Sequence, residues 1–341
     1  PFLIVILIMT PRLISSQFGL LDDGAMLENV REILSGDFSM WNDLQAGRFR
    51  PLYWGYFSLI FVLSGPYPFW FFFGHMSLFL ILVLEIRTLV KQMGGEPWQG
   101  LLASLILIFS MPIVENFYTL SKGEPLQMVF LLLGLISFEQ LKHSPAKRSK
   151  WQLYLAIFFS VLAAMLVKET TMAILPMAIL WAGFSFLAKR NEPKAIKNVY
   201  FWFLGINVLA IATAFLLRTG WSGPSLVEGT YTMRYELSVS ALISKVARWL
   251  TLYAFYFHYL LPLAVVAFIA YLSSREQSFQ HNRNLFNWLI WVIMWVIALI
   301  PWEFTEVYYL LPFSIGIATL IGQITAKIKN TLKKRNSIQW F

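Results

Sequence analysis

Of the 341 residues, 58% are hydrophobic and only 13% are charged, and the mean hydropathy is +0.62. A soluble domain carries about 25% charge, so this composition predicts a polytopic membrane protein with loops too short for a second folded domain. The net charge of +9 reads as loop charge that fixes membrane orientation, not as a nucleic-acid surface. The absence of cysteine excludes disulfides, thiolate metal sites and thiol nucleophiles.

Apolar runs able to cross about 30 Å of hydrocarbon fall at roughly 1–13, 67–86, 97–113, 124–141, 151–167, 170–188, 198–217, 247–272, 286–301 and 307–325. The first reads as the clipped remainder of a span, because Pro1 opens the chain and the basic n-region and cleavage site of a signal peptide are lacking. The run Pro51–Ser64 is apolar but shorter than the ~17 residues needed to cross. It is expected to lie along the interface as a juxtamembrane helix. The expected fold is therefore all-α: a polytopic membrane helical bundle of about ten spans, one domain over 1–341. Its longest outer loops would be 14–66, carrying the juxtamembrane helices, and 218–246.

With Pro51–Ser64 outside the count of crossings, the loops 87–96, 142–150, 189–197, 273–285 and the tail after 325 share one side. They hold 17 of the 27 Lys and Arg, which makes that side cytoplasmic. Thirteen of the 18 acids then fall on the extracytoplasmic face, several at the very ends of spans. Topology alone explains the inner bases; it does not explain the outer acids.

Asp22 and Asp23 follow the first span and precede an amphipathic run from Met26 to Leu34. Two readings stand: a favourable acid at a helix N-terminus, or a general base for an acceptor hydroxyl. Arg48 and Arg50 come next, ahead of Pro51. A guanidinium fork matches phosphate oxygens, and snorkelling to the headgroups is the plainer alternative. Glu115 and Glu124 flank a short outer turn that also holds Lys122. Lys168 and Glu169 lie between two spans, where a mutual ion pair competes with a functional role. Glu303, Glu306 and Tyr308 sit in an outer hairpin with further aromatics. Carboxylates and rings suit sugar binding, although an interfacial aromatic belt also places Tyr there.

Taken together, a first span, Asp22-Asp23, the helix with Glu28, Arg31 and Glu32, and Arg50-Pro51-Leu52-Tyr53-Trp54 resemble the GT-C superfamily of membrane glycosyltransferases. Within it they are most similar to the protein O-mannosyltransferase and aminoarabinose-transferase branch. Glu115, Glu124, Lys168-Glu169 and Tyr308-Tyr309-Leu310-Leu311-Pro312 look like further features of the superfamily. Two positions depart from the pattern: the second acid is Asp where relatives have Glu, and one proline stands where they have two.

The resemblance implies a hexosyl- or pentosyltransferase of the cell envelope that moves a sugar from a polyprenyl-phosphate donor to a glycan, lipid or protein acceptor. In a prokaryote this would occur at the plasma membrane, on the extracytoplasmic face. Asp22 then matches the catalytic aspartate and Asp23 its acidic neighbour. Arg48, Arg50 and Lys122 become donor-phosphate contacts, with Glu115, Glu124, Glu169, Glu303, Glu306 and Tyr308 as substrate contacts. Some members use a divalent metal, which carboxylates can bind, but no metal or other cofactor is required by this sequence.

The alternative is a transporter of a lipid-linked or small polar substrate, which would place charge at mid-bilayer and show broken helices. His75 and His258 are its best relay candidates, each alone in or near a span. A phosphoethanolamine transferase would need an outer nucleophile, metal ligands and a large soluble domain, and an acyltransferase fits less well, since His143 and His281 fall on the cytoplasmic side.

Overall fold

The computed structural model describes residues 1–19, 22–36, 48–143, 147–187, 194–222, 238–257, 279–300 and 306–338. Every regular element among them is helical. The α-helices are α1 (Phe2–Ile14), α2 (Asp22–Ser35), α3 (Pro51–Ser64), α4 (Pro68–Gln92), α5 (Pro97–Ile108), α6 (Met111–Tyr118) and α7 (Glu124–His143). They continue with α8 (Lys147–Val167), α9 (Ile174–Leu187), α10 (Lys194–Ser222), α11 (Val239–Phe257), α12 (Phe279–Leu299) and α13 (Leu311–Ile338). Short 3-10 turns, Glu169–Ala173 and Val307–Leu310, lead into α9 and α13.

Among the described residues, six stretches are long and apolar enough to cross a membrane, and a seventh arises if α5 and α6 form one broken span. The remaining three of the ten expected crossings have identifiable positions. The run 1–13 is a 13-residue apolar helix, the run 286–301 lies largely within α12, and the run 247–272 extends past Phe257 into residues outside the described set.

Proline sets several of these boundaries. It occupies the first or second position of α3, α4, α5 and α6, where its missing N–H removes no helical bond. Pro112 also accounts for the break between α5 and α6, which bends by 67°. Its ring would collide with the carbonyl four residues back, and that residue, Ile108, is the last of α5. The expected span 97–113 is thus interrupted, and the first residues of the expected outer loop, 114–118, belong to the helix α6.

The main apolar core runs through α1, α4 to α10, α12 and α13, and includes Phe79, Phe117, Phe138, Trp181, Phe203 and Trp291. A second, smaller core joins α2 and α3 to the start of α4. Met26 and Val30, one turn apart on α2, bury against Tyr53, Trp54 and Phe57, with Phe71, Phe72, Leu120 and Val167 beneath. Gly74 lets α3 lie close on α4: a Cβ there would stand 2.6 Å from the Tyr56 hydroxyl. This layer fixes where the chain after α1 meets the bundle.

Helix α7 carries a charged cluster at each end, with Glu124 and Lys142 about 27 Å apart by helical rise. At the Lys142 end, the ammonium lies 2.6 Å from Glu139 Oε2 and donates to Asn284 Oδ1 at 3.3 Å. Arg283 stacks 3.6 Å from the Tyr200 ring centroid, and Asn287 donates to the Tyr200 hydroxyl at 2.9 Å. The Trp181 indole completes the knot by donating to the Asn287 carbonyl. Glu139, Lys142, Arg283 and Tyr200 are all buried.

Candidate functional site

The Glu124 end gathers the termini of α2, α3, α7 and α8, the 119–123 loop, and both 3-10 turns. The two aspartates that open α2 behave differently. Asp23 is 3% exposed; its Oδ1 accepts the Leu120 and Ser121 amides at 2.9 and 3.2 Å, and its Oδ2 accepts the Gly19 amide at 3.0 Å. Three charge-assisted backbone bonds of this kind lock a carboxylate in place. Asp23 therefore staples the start of α2 to a loop nearly a hundred residues away. Asp22, its neighbour, points to solvent with a side chain 66% exposed, and its Oδ2 lies 3.0 Å from Lys122 Nζ. The Ser121 hydroxyl is 3.5 Å from the same oxygen.

Lys122 is steadied by a ring. Its Nζ lies 4.1 Å from the Tyr308 centroid, within the range of a cation–π contact. A second cation, Lys168, has its Nζ 5.6 Å from the Tyr308 ring centroid and 4.7 Å from that of Tyr309. Lys168 pairs with Glu124, which is buried. The expected partner, Glu169, is a nearby charge and not the bonded one. Burial pushes the Lys168 ammonium below the ordinary lysine range, Glu124 and Glu169 pull it back up, and Arg48 pushes it down again. Arg48 is thus a further positive charge acting on Lys168.

The remaining expected residues frame this centre. Arg50 lies 4.8 Å from the Tyr53 ring centroid and 5.4 Å from that of Trp54. Tyr53 in turn donates its hydroxyl to the Ser121 carbonyl at 2.8 Å, so the Arg50–Trp54 motif supports the loop that presents Lys122. Glu115 accepts the Tyr308 amide at 2.9 Å, and Glu306 caps the 3-10 turn from an exposed position. Glu303 lies outside the described residues.

Four residues missed by the sequence reading hold the frame together. Asn116 donates to the carbonyls of Pro112 and Tyr308 at 2.8 and 2.9 Å, tying α6 to the turn before α13. Gln127 donates to the hydroxyls of Thr170 and Thr171 at 3.0 and 2.7 Å, tying α7 to the turn after Lys168. One signal was available for Gln127: it lies one helical turn beyond Glu124, on the same side of α7.

Among the described residues, no three His, Asp or Glu side chains converge as a metal site. Asp23 has its oxygens taken by amides and Asp22 faces an ammonium. His75 is enclosed by the rings of Tyr56, Phe57 and Phe117 at 6.0–6.3 Å. Its polar surroundings are the backbone at Phe71 and Leu120 and the Asp23 charge. His258 lies outside the described residues.

No protein-family model and no curated protein matches the chain. Its fold is similar to that of the Archaeoglobus fulgidus oligosaccharyltransferase, solved with a disulfide-tethered acceptor peptide containing the NVT sequon. The TM-score is 0.52 at 13% identity, over 80% of this chain and 41% of that one. The likeness is one of fold. It shows a shared all-helical membrane architecture, and this chain spans about two fifths of that protein's length.

Proposed function

We propose that this protein is a membrane glycosyltransferase that moves a sugar from a polyprenyl-phosphate donor to an acceptor hydroxyl, on the extracytoplasmic face, by one inverting displacement. The observation that carries this reading is the centre around Tyr308. An exposed carboxylate, Asp22, pairs with Lys122, whose ammonium shares the Tyr308 ring with Lys168, itself within reach of the Arg48 charge, at one end of an apolar bundle. Such a site offers a base and a phosphate clamp within one reaction's reach, and the apolar bundle beside it suits a prenyl chain. The fold shared with an oligosaccharyltransferase is consistent with it.

In this mechanism Asp22 takes the acceptor's hydroxyl proton as the oxygen attacks the anomeric carbon. The bond from that carbon to the phosphate oxygen breaks, and the leaving lipid phosphate gains one negative charge. Lys122, Arg48 and Arg50 supply positive charge where it develops. Glu115, Glu124, Glu169, Glu306 and Tyr308 contact the sugar or hold the groups that do. Glu303 belongs to the same proposal on sequence grounds. The acceptor is a glycan, lipid or protein hydroxyl.

The basic loops at the Lys142 end support a cytoplasmic assignment for that end, and hence the opposite face for the Asp22 end. The test offers a panel of radiolabelled polyprenyl-phosphate sugars to the protein in nanodiscs. Release of polyprenyl phosphate from one donor, coupled to transfer of its label, is the expected result. Failure of every donor to bind or turn over contradicts the proposal and favours the transporter.

A further inference from the structure

The two carboxylate–ammonium pairs beside Tyr308 differ in how easily they exchange partners. Glu124 and Lys168 are largely shielded from solvent, at 3% and 16% side-chain exposure, and removing one partner of a buried pair costs about 3–5 kcal/mol. Asp22 is 66% exposed, and an exposed pair is worth only about 0.2–1 kcal/mol. Lys122 itself is not loose. Its side chain is 16% exposed and its ammonium rests over the Tyr308 ring. The ring holds the cation in place whichever anion it faces. One member of the pair is therefore fixed and the other replaceable.

We infer that Asp22 is a resting placeholder for the donor phosphate on Lys122, and that donor binding releases this carboxylate to act as the base. The inference rests on the glycosyl-transfer reading above. In the resting protein, Asp22 Oδ2 is engaged by the Lys122 ammonium at 3.0 Å. A phosphodiester drawn by Arg48, Arg50 and Lys122 takes over the ammonium. The displaced carboxylate returns to water at a small loss, because its pair was exposed. Asp22 is then free beside the sugar, and receives the acceptor proton when the carbon–phosphate-oxygen bond breaks. The arrangement imposes an order, donor before acceptor. A free base is then absent until there is a donor to attack, which guards against proton transfer without a reaction.

The test is a binding measurement with an unsubstituted polyprenyl phosphate in nanodiscs, using the full chain. The proteins are wild type, Asp22→Asn, Lys122→Met and the double variant. Removing the placeholder is expected to tighten binding by up to about fivefold, the equivalent of an exposed pair, whereas Lys122→Met weakens it. The tightening from Asp22→Asn is expected to vanish in the Lys122→Met background. Tightening that persists there is general charge repulsion and overturns the placeholder. Unchanged or weaker binding by Asp22→Asn overturns it too, while leaving the glycosyl-transfer reading in place. A wild type that binds no polyprenyl phosphate sinks both. Asp22 is on the surface, so folding of the Asn variant is not at stake; a thermal melt equal to wild type confirms it.

Discussion

At the Lys142 end of α7, an ammonium 2.6 Å from Glu139 and 3.3 Å from Asn284 is sealed behind Phe138 and Tyr200. At the Glu124 end, 20 residues of one helix away, ammonium groups again sit over tyrosine rings, but one of their carboxylate partners is open to water. Both ends combine Lys, Glu and Tyr. Only the second leaves a charged group that can change partner without unfolding anything. Buried charge in a membrane bundle is therefore not by itself a mark of chemistry. The Lys142 knot joins α4, α7, α9, α10 and α12, and its job is to hold them.

The comparison breaks first on Asp22→Asn. This variant is expected to lose about 10²- to 10⁴-fold in turnover, the usual contribution of a general base, with no change in melting temperature. Next comes Lys142→Met, which strands the Glu139 carboxylate. It should destabilise the protein by about 3–5 kcal/mol, seen as a lower denaturation midpoint, and leave turnover per folded molecule at the wild-type level. Were Lys142→Met to abolish turnover while preserving stability, the two ends would have been assigned the wrong way round.

Asp23→Asn sharpens the contrast between neighbours. It replaces charge-assisted bonds with weaker neutral ones and is expected to cost about 1–3 kcal/mol of stability. Its effect on turnover should be smaller than that of Asp22→Asn, because it moves the base instead of removing it. The smallest expected effect is from Tyr53→Phe, about 1 kcal/mol for one lost hydrogen bond to the Ser121 carbonyl. A higher KM for the donor should accompany it, as the loop bearing Lys122 loosens.

Much of this was legible from the sequence, because membrane spans announce themselves by length and apolarity. The α2 amphipathic face, with Met26 and Val30 inward, follows from helical spacing, and Pro51 opens α3 as expected. The break at Phe109–Ser110 was not read, since hydropathy runs unbroken through it; the signal was Pro112, four residues past Ile108. Site composition was legible, but its pairings were not. Sequence adjacency suggested Lys168 with Glu169, yet the extended backbone at Lys168, with φ −157° and ψ 130°, accompanies a bond to Glu124 on α7 instead. The division of labour between Asp22 and Asp23 depends on amides at residues 120 and 121, and no local pattern reports a contact at that separation.

The most direct test of the account compares single-turnover release of polyprenyl phosphate by Asp22→Asn and Lys142→Met, each normalised to folded protein in the same nanodiscs. The account predicts a rate lost by a hundredfold or more in the first and retained in the second. Equal rates in the two variants, or loss only in Lys142→Met, would contradict the claim that the chemistry sits at the exposed end.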